Sequence, residues 1–474
     1  MENNFSGVLQ ENLLTLLCFD PSSASIIKNT VEVGMYSSSI FREIAFEAAD
    51  FFETFNTPIG EHLPDVFEEV LNGSDQRQAS MYRQVFKNLY STKDSINKEY
   101  ILSSLSVFLK ERRLTKGIAE AAKFLKDGNV EEAESIILSA TKSGKLHSFD
   151  HGMFLSESPS KVLNHLRTSS PFIPMGIPYF DSISLGPAPK EIITILAPPS
   201  RGKTWFMVHI GKQCLLRRKN VLHISLEMSE EKIMTRYYQS LFSISRRKAR
   251  NKVAILKRNK SNNFDGIEFT KITRPTFRNK GLASFIQGRM PSVLNRYRLL
   301  VKQFPTGSLT IKQLETYLDN IEREYKFIPD VLIVDYADLM HLDYKNIRVE
   351  TGQVFRNLRG LMIERNLAGV TASQSNRESS ESKWVTMKHM AEDYSKAATS
   401  DMVVSICQTP LERSLGLCRL FVAKNRDEED SGTVLTTQGI PFGQFISDSV
   451  HITGADGEEY WKEIEKRPSL RRED

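Results

Sequence analysis

Apolar residues in the first hundred positions recur in clusters between short polar breaks, as at Leu13, Leu14, Leu16 and Leu17, and strand-like alternation is scarce. The region is therefore predicted to be helical, with a loop at Pro58-Ile59-Gly60. Leu114, Ile118, Ala121, Ala122 and Leu125 then follow helical spacing. Asp127-Gly128-Asn129 breaks that pattern, and Ala133, Ile136, Ile137 and Ala140 resume it. Two such stripes across one break predict a helical hairpin that packs on another surface. Residues 143–174 are rich in Ser, His, Gly and Pro and read as a linker, with one short helix possible at 161–167. Beyond Gly176 short apolar runs alternate with helical stretches, the pattern of a βαβ architecture with a parallel sheet. The runs are 191–197, 221–226, 331–334, 369–372, 402–406 and 417–423. A basic, polar stretch at 246–289 interrupts the alternation, and the charged tail after Gly454 reads as peripheral. The chain shows no internal repeat. Its expected organisation is a helical region 1–106, a hairpin and linker 107–170, an α/β domain 171–454 and a tail 455–474.

A chain of 474 residues exceeds one compact core, which agrees with two or three units. No apolar run nears the roughly 18 residues that span a bilayer, and the N-terminus lacks a secretory pattern. Cys18, Cys214, Cys407 and Cys418 are scattered without a C-x-x-C pair. They argue against a disulfide framework and a zinc site, hence against a fused zinc-ribbon primase module, and they fit a reducing cytoplasm. The net charge of +5 permits nucleic-acid binding without demonstrating it.

Candidate chemistry begins at residues 197–204, Ala-Pro-Pro-Ser-Arg-Gly-Lys-Thr, between an apolar run and a predicted helix from Trp205. Strand, loop and helix in that order are the setting of a Walker A phosphate loop, here Ser200, Arg201, Gly202, Lys203 and Thr204. Backbone N–H groups of such a loop surround phosphate, and the helix N-terminus adds a favourable dipole. Lys203 would reach the β- and γ-phosphates of ATP and Thr204 would ligate Mg²⁺. Ala197 stands where the common pattern has glycine, and Gly-Lys-Thr alone also occurs in ordinary turns.

In open parallel sheets ligands bind at the carboxyl ends of strands. Three apolar runs end there in polar groups: 221–226 in Glu227, 331–334 in Asp335, and 369–373 in Gln374. Asp335 would hold Mg²⁺ through its water shell, Glu227 would polarise the attacking water, and Gln374 would sense the γ-phosphate. Singly, each has a plainer reading, since a carboxylate after a strand is often only a helix cap. Together, with the phosphate loop, they point to an ATP hydrolase.

These residues resemble the DnaB-type replicative helicases of the RecA-like superfamily, in their divergent tailed-phage branch. The resemblance rests on Ser225-Leu226-Glu227-Met228-Ser229, on the alanine that begins the loop, and on Gly176-Ile177-Pro178 through Phe180-Asp181. It extends to Ser373-Gln374-Ser375-Asn376-Arg377 and to Val301 through Gly307 ahead of the Asp335 strand. Coverage is good over 176–435, while 246–289 departs from the pattern. The resemblance implies an α/β RecA-like P-loop ATPase core, a mostly parallel twisted sheet flanked by helices, preceded by an all-α N-terminal domain and helical hairpin linker. It further implies a homo-oligomeric ring, a hexamer in this family, that unwinds forked DNA along a single strand in the 5′-to-3′ direction. Primase and a helicase loader are the implied partners, and the host cytoplasm is the implied location of a phage-encoded member. In Phe421 through Arg426, Lys424 and Arg426 resemble the pair that projects into a neighbouring subunit's ATP site, where an arginine is worth roughly 10³–10⁵ in rate.

By position, two segments fit the grip on single-stranded DNA, one with Lys345 and Arg348 and one with Arg377 and Lys383. Such cations neutralise phosphates without reading sequence. The Arg246-Arg247-Lys248 cluster reads as a solvated helix end or partner surface. Rival readings are a RecA- or RadA-like recombination ATPase, or a ring that mainly scaffolds primase or polymerase. A metabolic P-loop kinase fits least, because it needs neither Lys424 and Arg426 nor the helical front.

Overall fold

The computed structural model describes residues 7–141, 163, 172–342, 347–376, 379, 382–390, 395–426 and 432–466. The chain divides into two compact units, residues 1–159 and 160–474. The expected helix at 161–167 and most of the expected linker lie outside the described residues.

The first unit is helical, as predicted, with α1 (Gly7–Phe19), α2 (Pro21–Thr30), α3 (Ser39–Phe55), α4 (Leu63–Val66), α5 (Glu68–Gly73), α6 (Gln76–Thr92), α7 (Lys98–Lys126) and α8 (Val130–Thr141). Polar side chains start the helices by accepting backbone N–H groups that the helix leaves unpaired: Asp20 from Ser23, Asp75 from Gln78 and Asn97 from Tyr100. The leucine cluster of α1 packs with Ile44, Tyr82, Phe86 and Leu89 in one core. Helix α7 runs unbroken through residue 106, so the helical region and the first arm of the hairpin are one rod. The break at Gly128 (φ 73°) turns the chain into α8. The arms touch at Gly117, where an added Cβ would lie 2.4 Å from the Ala140 Cβ. Ala121, Ala133 and Ala140 are buried, whereas Ile118 and Leu125 of the same expected stripe stay exposed.

The second unit opens with α9 (Pro178–Ser182) and β1 (Ile192–Ala197), then α10 (Lys203–Leu216), β2 (Val221–Ser225) and α11 (Glu230–Phe242). Next come β3 (Arg250–Arg258), β4 (Phe264–Thr273), α12 (Leu282–Leu294), β5 (Leu299–Gln303), α13 (Ile311–Tyr325) and β6 (Val331–Asp335). They are followed by α14 (Ile347–Arg365), β7 (Ala368–Gln374), α15 (Ser395–Thr399), β8 (Met402–Cys407), α16 (Pro410–Leu415) and β9 (Leu417–Asn425). The last elements are β10 (Thr433–Gly439), β11 (Gln444–Ile452) and α17 (Gly454–Glu465). Nine strands form one sheet in the order β11-β10-β9-β8-β1-β7-β6-β2-β5. From β8 to β5 the neighbours are parallel, and β9, β10 and β11 complete the sheet antiparallel. The central strands β1, β2, β6 and β8 are buried along their whole length, which is why they read as unbroken apolar runs. This is the expected mostly parallel sheet flanked by helices.

Two expectations change. The basic stretch 246–289, which interrupts the strand-and-helix alternation in the sequence, forms the antiparallel hairpin β3–β4 and the start of α12. One side of the hairpin buries Ala254, Leu256, Phe264 and Ile267 against Leu417, Leu435 and Val450, so a few apolar side chains suffice to seat a polar ribbon. Within the described part of the tail, residues 454–465 are not peripheral. They form the amphipathic helix α17, whose Tyr460 and Ile464 are fully buried in that same cluster.

Two buried polar arrangements yield stability predictions. Arg419 and Glu412 are both fully buried and paired, Nε to Oε1 at 2.6 Å, with the Tyr460 hydroxyl donating to Glu412 at 2.6 Å. The Arg419 guanidinium lies between the Trp384 and Trp461 rings, 4.8 and 4.7 Å from their centroids. Removing one partner strands a buried charge, so Glu412→Ala should destabilise the second unit by about 3–5 kcal/mol. Glu412→Leu combined with Arg419→Met should recover most of that loss in urea unfolding. A double variant as unstable as Glu412→Ala would contradict this account.

His209 and His223 are buried and bonded to the Met175 carbonyl and the Tyr237 hydroxyl, both at 2.9 Å. Burial pushes each imidazole down to about 3 from an ordinary 6.5. The unfolded chain therefore binds more protons between those values, and stability falls as pH drops below about 6.5. Each histidine should contribute a slope of about 1.4 kcal/mol per pH unit there. Unfolding free energies measured from pH 7 to 5 should show half of that extra slope removed in His209→Gln. An unchanged slope would mean that carboxylates alone govern the acid limb.

Candidate nucleotide site

The loop after β1 takes its shape from two residues in the left-handed region, Ser200 (φ 60°) and Gly202 (φ 93°). Gly202 is doubly constrained, because a Cβ there would also lie 3.0 Å from the Phe445 ring. Helix α10 starts directly after it, so Lys203 and Thr204 occupy the positive end of the helix dipole.

Parallel pairing brings the other candidates level with this loop. Ala197 of β1 pairs with Gln374 of β7, and Ser225 of β2 pairs with Asp335 of β6. Lys203, Thr204, Glu227, Asp335 and Gln374 thus share one edge of the sheet, in the crevice where strand order reverses around β1. Lys203 Nζ lies 3.4 Å from the Ala197 carbonyl and 5.5 Å from the centre of the Tyr336 ring. Burial draws its pKa below the ordinary value, against the pull of the Glu227, Asp335 and Asp338 carboxylates.

Asp335 is fully buried, and neither carboxylate oxygen makes a well-formed hydrogen bond among the described residues. Burial lifts it to about 6 from 3.8; the nearby Thr204 hydroxyl opposes the shift, Glu227 adds to it, and Arg236 and Lys203 oppose it. A buried carboxylate with unused oxygens beside a buried threonine hydroxyl fits a hydrated Mg²⁺, which takes one or two protein oxygens and leaves the rest to water and phosphate. When bound, Mg²⁺ would neutralise charge developing on the phosphoryl oxygens. No cluster of three or more His, Cys, Asp or Glu suited to a metal occurs among the described residues. An ion held jointly with nucleotide does not need one.

Glu227 is exposed at the end of β2. Its turn is fixed by three bonds: Leu226 N–H to the Asp335 carbonyl at 2.8 Å, Met228 N–H to Ser225 Oγ at 3.0 Å, and Thr306 Oγ1 to the Leu226 carbonyl at 2.5 Å. Gln374 is half-buried, and its backbone N–H donates to Asp338 Oδ2 at 3.3 Å. Arg201 stands apart from this cluster, toward Arg413 and Glu412.

Sequence reasoning missed three residues here. Asp338 also accepts the Ser373 hydroxyl at 2.9 Å and pairs with the fully buried Lys396 at 3.1 Å. Asp338 follows Asp335 by three residues, a spacing that could have flagged it, whereas nothing in the sequence singles out Lys396. The third is Arg236 of α11, stacked 4.8 Å from the centre of the Trp205 ring and attracted by Asp335 and Glu227. It is one charge among several on its helix, so only packing reveals it.

Lys424 and Arg426 are not at this edge. Strand β9 runs antiparallel to β8 and pairs Lys424 with Val403, while β8 pairs Met402 with Ile193 near the start of β1. The pair therefore lies at the opposite edge from the chain's own phosphate loop. Lys424 Nζ donates to the carbonyls of Ala397, Ala398 and Ser400, at 2.9, 2.9 and 2.6 Å, closing the end of α15. Arg426 pairs at 2.8 Å with Asp401, which also holds Arg359 at 2.8 Å. Among the DNA-contact candidates, Lys345, Arg377 and the Arg348 side chain lie outside the described residues. Lys383 is exposed, with its ammonium 4.3 Å from the Trp461 ring centre and 3.9 Å from Glu465.

The family model described as "DnaB-like helicase C terminal domain" matches residues 173–437, the span that holds every element of this site. The chain belongs to that family. Its similarity to the DnaB-like replicative helicase of Enterobacteria phage T4 is 24% identity over 243 residues, 50% of this chain and 46% of that protein. To the replicative DNA helicase DnaB of Haemophilus influenzae it is 25% over 279 residues, 56% and 53% of the two. The chain thus spans about half the length of these DnaB relatives. A solved structure described as a DnaB-like replicative helicase and its interactions with primase aligns over 93% of this chain and 99% of that one, with TM-score 0.54 and 16% identity. That last likeness concerns the fold alone.

Proposed function

We propose that this DnaB-family chain is an ATP-driven replicative DNA helicase. The observation that carries the reading is the convergence of Lys203, Thr204, Glu227, Asp335 and Gln374 on one sheet edge, with a buried carboxylate there whose oxygens make no well-formed hydrogen bond among the described residues. Lys203 holds the β- and γ-phosphates, and Thr204 and Asp335 hold Mg²⁺. Glu227 takes the proton of the attacking water, while Gln374, on the Asp338–Lys396 relay, responds to loss of the γ-phosphate.

Lys424 and Arg426 serve a neighbouring copy. They lie across the sheet from their own phosphate loop, so a homo-oligomeric ring, a hexamer by family, gives them a nucleotide to act on. Single-stranded DNA is gripped by Lys345, Arg348 and Arg377, with Lys383 at the base of the second segment. Travel is 5′-to-3′ on forked DNA, primase and a loader are partners, and the setting is the cytoplasm. Among the described residues no helix is long and apolar enough to cross a membrane.

The test is unwinding of forks bearing a 5′ tail, a 3′ tail or both, with ATP, without it, and with Lys203→Ala. ATP-dependent unwinding that needs the 5′-tailed strand and is lost in the variant is expected. DNA-stimulated ATPase with no unwinding but active strand exchange would favour a recombination ATPase instead.

A further inference from the structure

Residues 246–289 carry thirteen Lys and Arg against only Asp265 and Glu268, in a chain whose total net charge is +5. The fold sorts these charges. Toward the hairpin tip two of them are paired, Lys257 with Glu268 and Arg258 with Asp448, while Lys260 in the turn is exposed. At the base they are not paired. Segments 245–252 and 271–279 run side by side there: Arg274 N–H donates to the Ala249 carbonyl at 2.8 Å, and Ser245 N–H to the Pro275 carbonyl at 2.7 Å. This gathers Arg246, Arg247, Lys248, Arg250, Lys271 and Arg278, all exposed and none in an ion pair among the described residues. Lys252 and Lys271 even face each other across the ladder, a like-charge pairing that costs stability until an anion relieves it.

Aromatic rings interrupt this basic surface. Phe277 is 38% exposed and Phe285 48% exposed, the latter with the Arg289 guanidinium 5.8 Å from its centre. Cations spaced along one ribbon, with exposed rings among them, suit a strand whose phosphates are neutralised while unpaired bases stack. A duplex would leave the rings unused. The patch adjoins the turn at Pro441, which accepts the Arg246 N–H at 3.0 Å, and so lies beside β10 and β11 at the sheet margin. In the sequence it is distinct from the segments after β6 and β7 that carry Lys345, Arg348 and Arg377.

We infer that the base of the β3–β4 hairpin, with Phe277 and Phe285, is a second binding site for a single-stranded polynucleotide. It needs no nucleotide turnover, so its failure and that of the helicase reading are distinguishable.

The probe is a 5-iododeoxyuridine-substituted single strand, cross-linked by light to the full chain without ATP and mapped by mass spectrometry. Cross-links at Phe277 or Phe285 are expected. Affinity is then followed against salt for the triple variant Lys248→Glu, Lys271→Glu and Arg278→Glu. At about 0.7 per phosphate contact, its log–log salt slope should fall by about 2, roughly 10²-fold in affinity at 0.1 M salt. Its DNA-independent ATPase should be unchanged, and Lys87→Glu in the first unit should leave the slope alone. Absence of cross-links in 246–289 together with an unchanged slope overturns the assignment. So does a slope change with no ring cross-link and equal affinity for duplex, which would make the patch a general polyanion surface.

Discussion

Glu227→Gln is expected to stop ATP hydrolysis while leaving nucleotide binding intact. The side chain stands in solvent at the end of β2, and the turn that presents it is held by backbone and hydroxyl contacts from Asp335, Ser225 and Thr306. Glutamine keeps that shape and loses only the ability to take a proton. The groups proposed to hold phosphate and Mg²⁺, namely Lys203, Thr204 and Asp335, come from other elements and are untouched. Removing a general base costs about 10²–10⁴-fold, so single-turnover hydrolysis should drop by that factor while a fluorescent ATP analogue binds as in the wild type. Hydrolysis within threefold of wild type would remove Glu227 from the chemistry, and Arg236, which lies near it, would become the residue to examine.

The second large effect is Arg426→Ala, expected to lower hydrolysis by about 10³–10⁵-fold with binding retained. The sheet supplies the reason. An antiparallel β9 carries Lys424 and Arg426 away from the phosphate loop of their own chain, and Asp401 positions the arginine at the far edge. If the arginine acts on a neighbour's nucleotide, two inactive variants should complement each other. An Arg426→Ala subunit has an intact phosphate loop, and a Lys203→Ala subunit has an intact arginine, so rings mixed from the two regain a fraction of active sites. Mixtures no more active than either parent, in assemblies shown to exchange subunits, would place Arg426 in a purely structural role with Asp401 and Arg359.

The buried strands β1, β2, β6, β7 and β8 and the polar residues that end them were legible in the sequence, as was the helical first unit. Fully buried parallel strands must be apolar throughout, and phosphate chemistry demands a few residue types at strand ends, so both leave local marks. The hairpin β3–β4 left no such mark. Its ladder is made by the backbone, and only one side of it is apolar, so basic residues read as a gap. Helix α17 was hidden likewise, because a charged helix reveals its buried Tyr460 only when Glu412 and Phe264 are packed against it. That Lys203, Glu227, Asp335 and Gln374 share one edge of the sheet was thus determined by the sequence itself. Placement of Lys424 and Arg426 on the opposite edge, Arg236 beside the carboxylates, and Lys396 under Asp338 was decided only by the tertiary structure. Strand direction and long-range packing, which bring distant residues together, have no local signature in a chain.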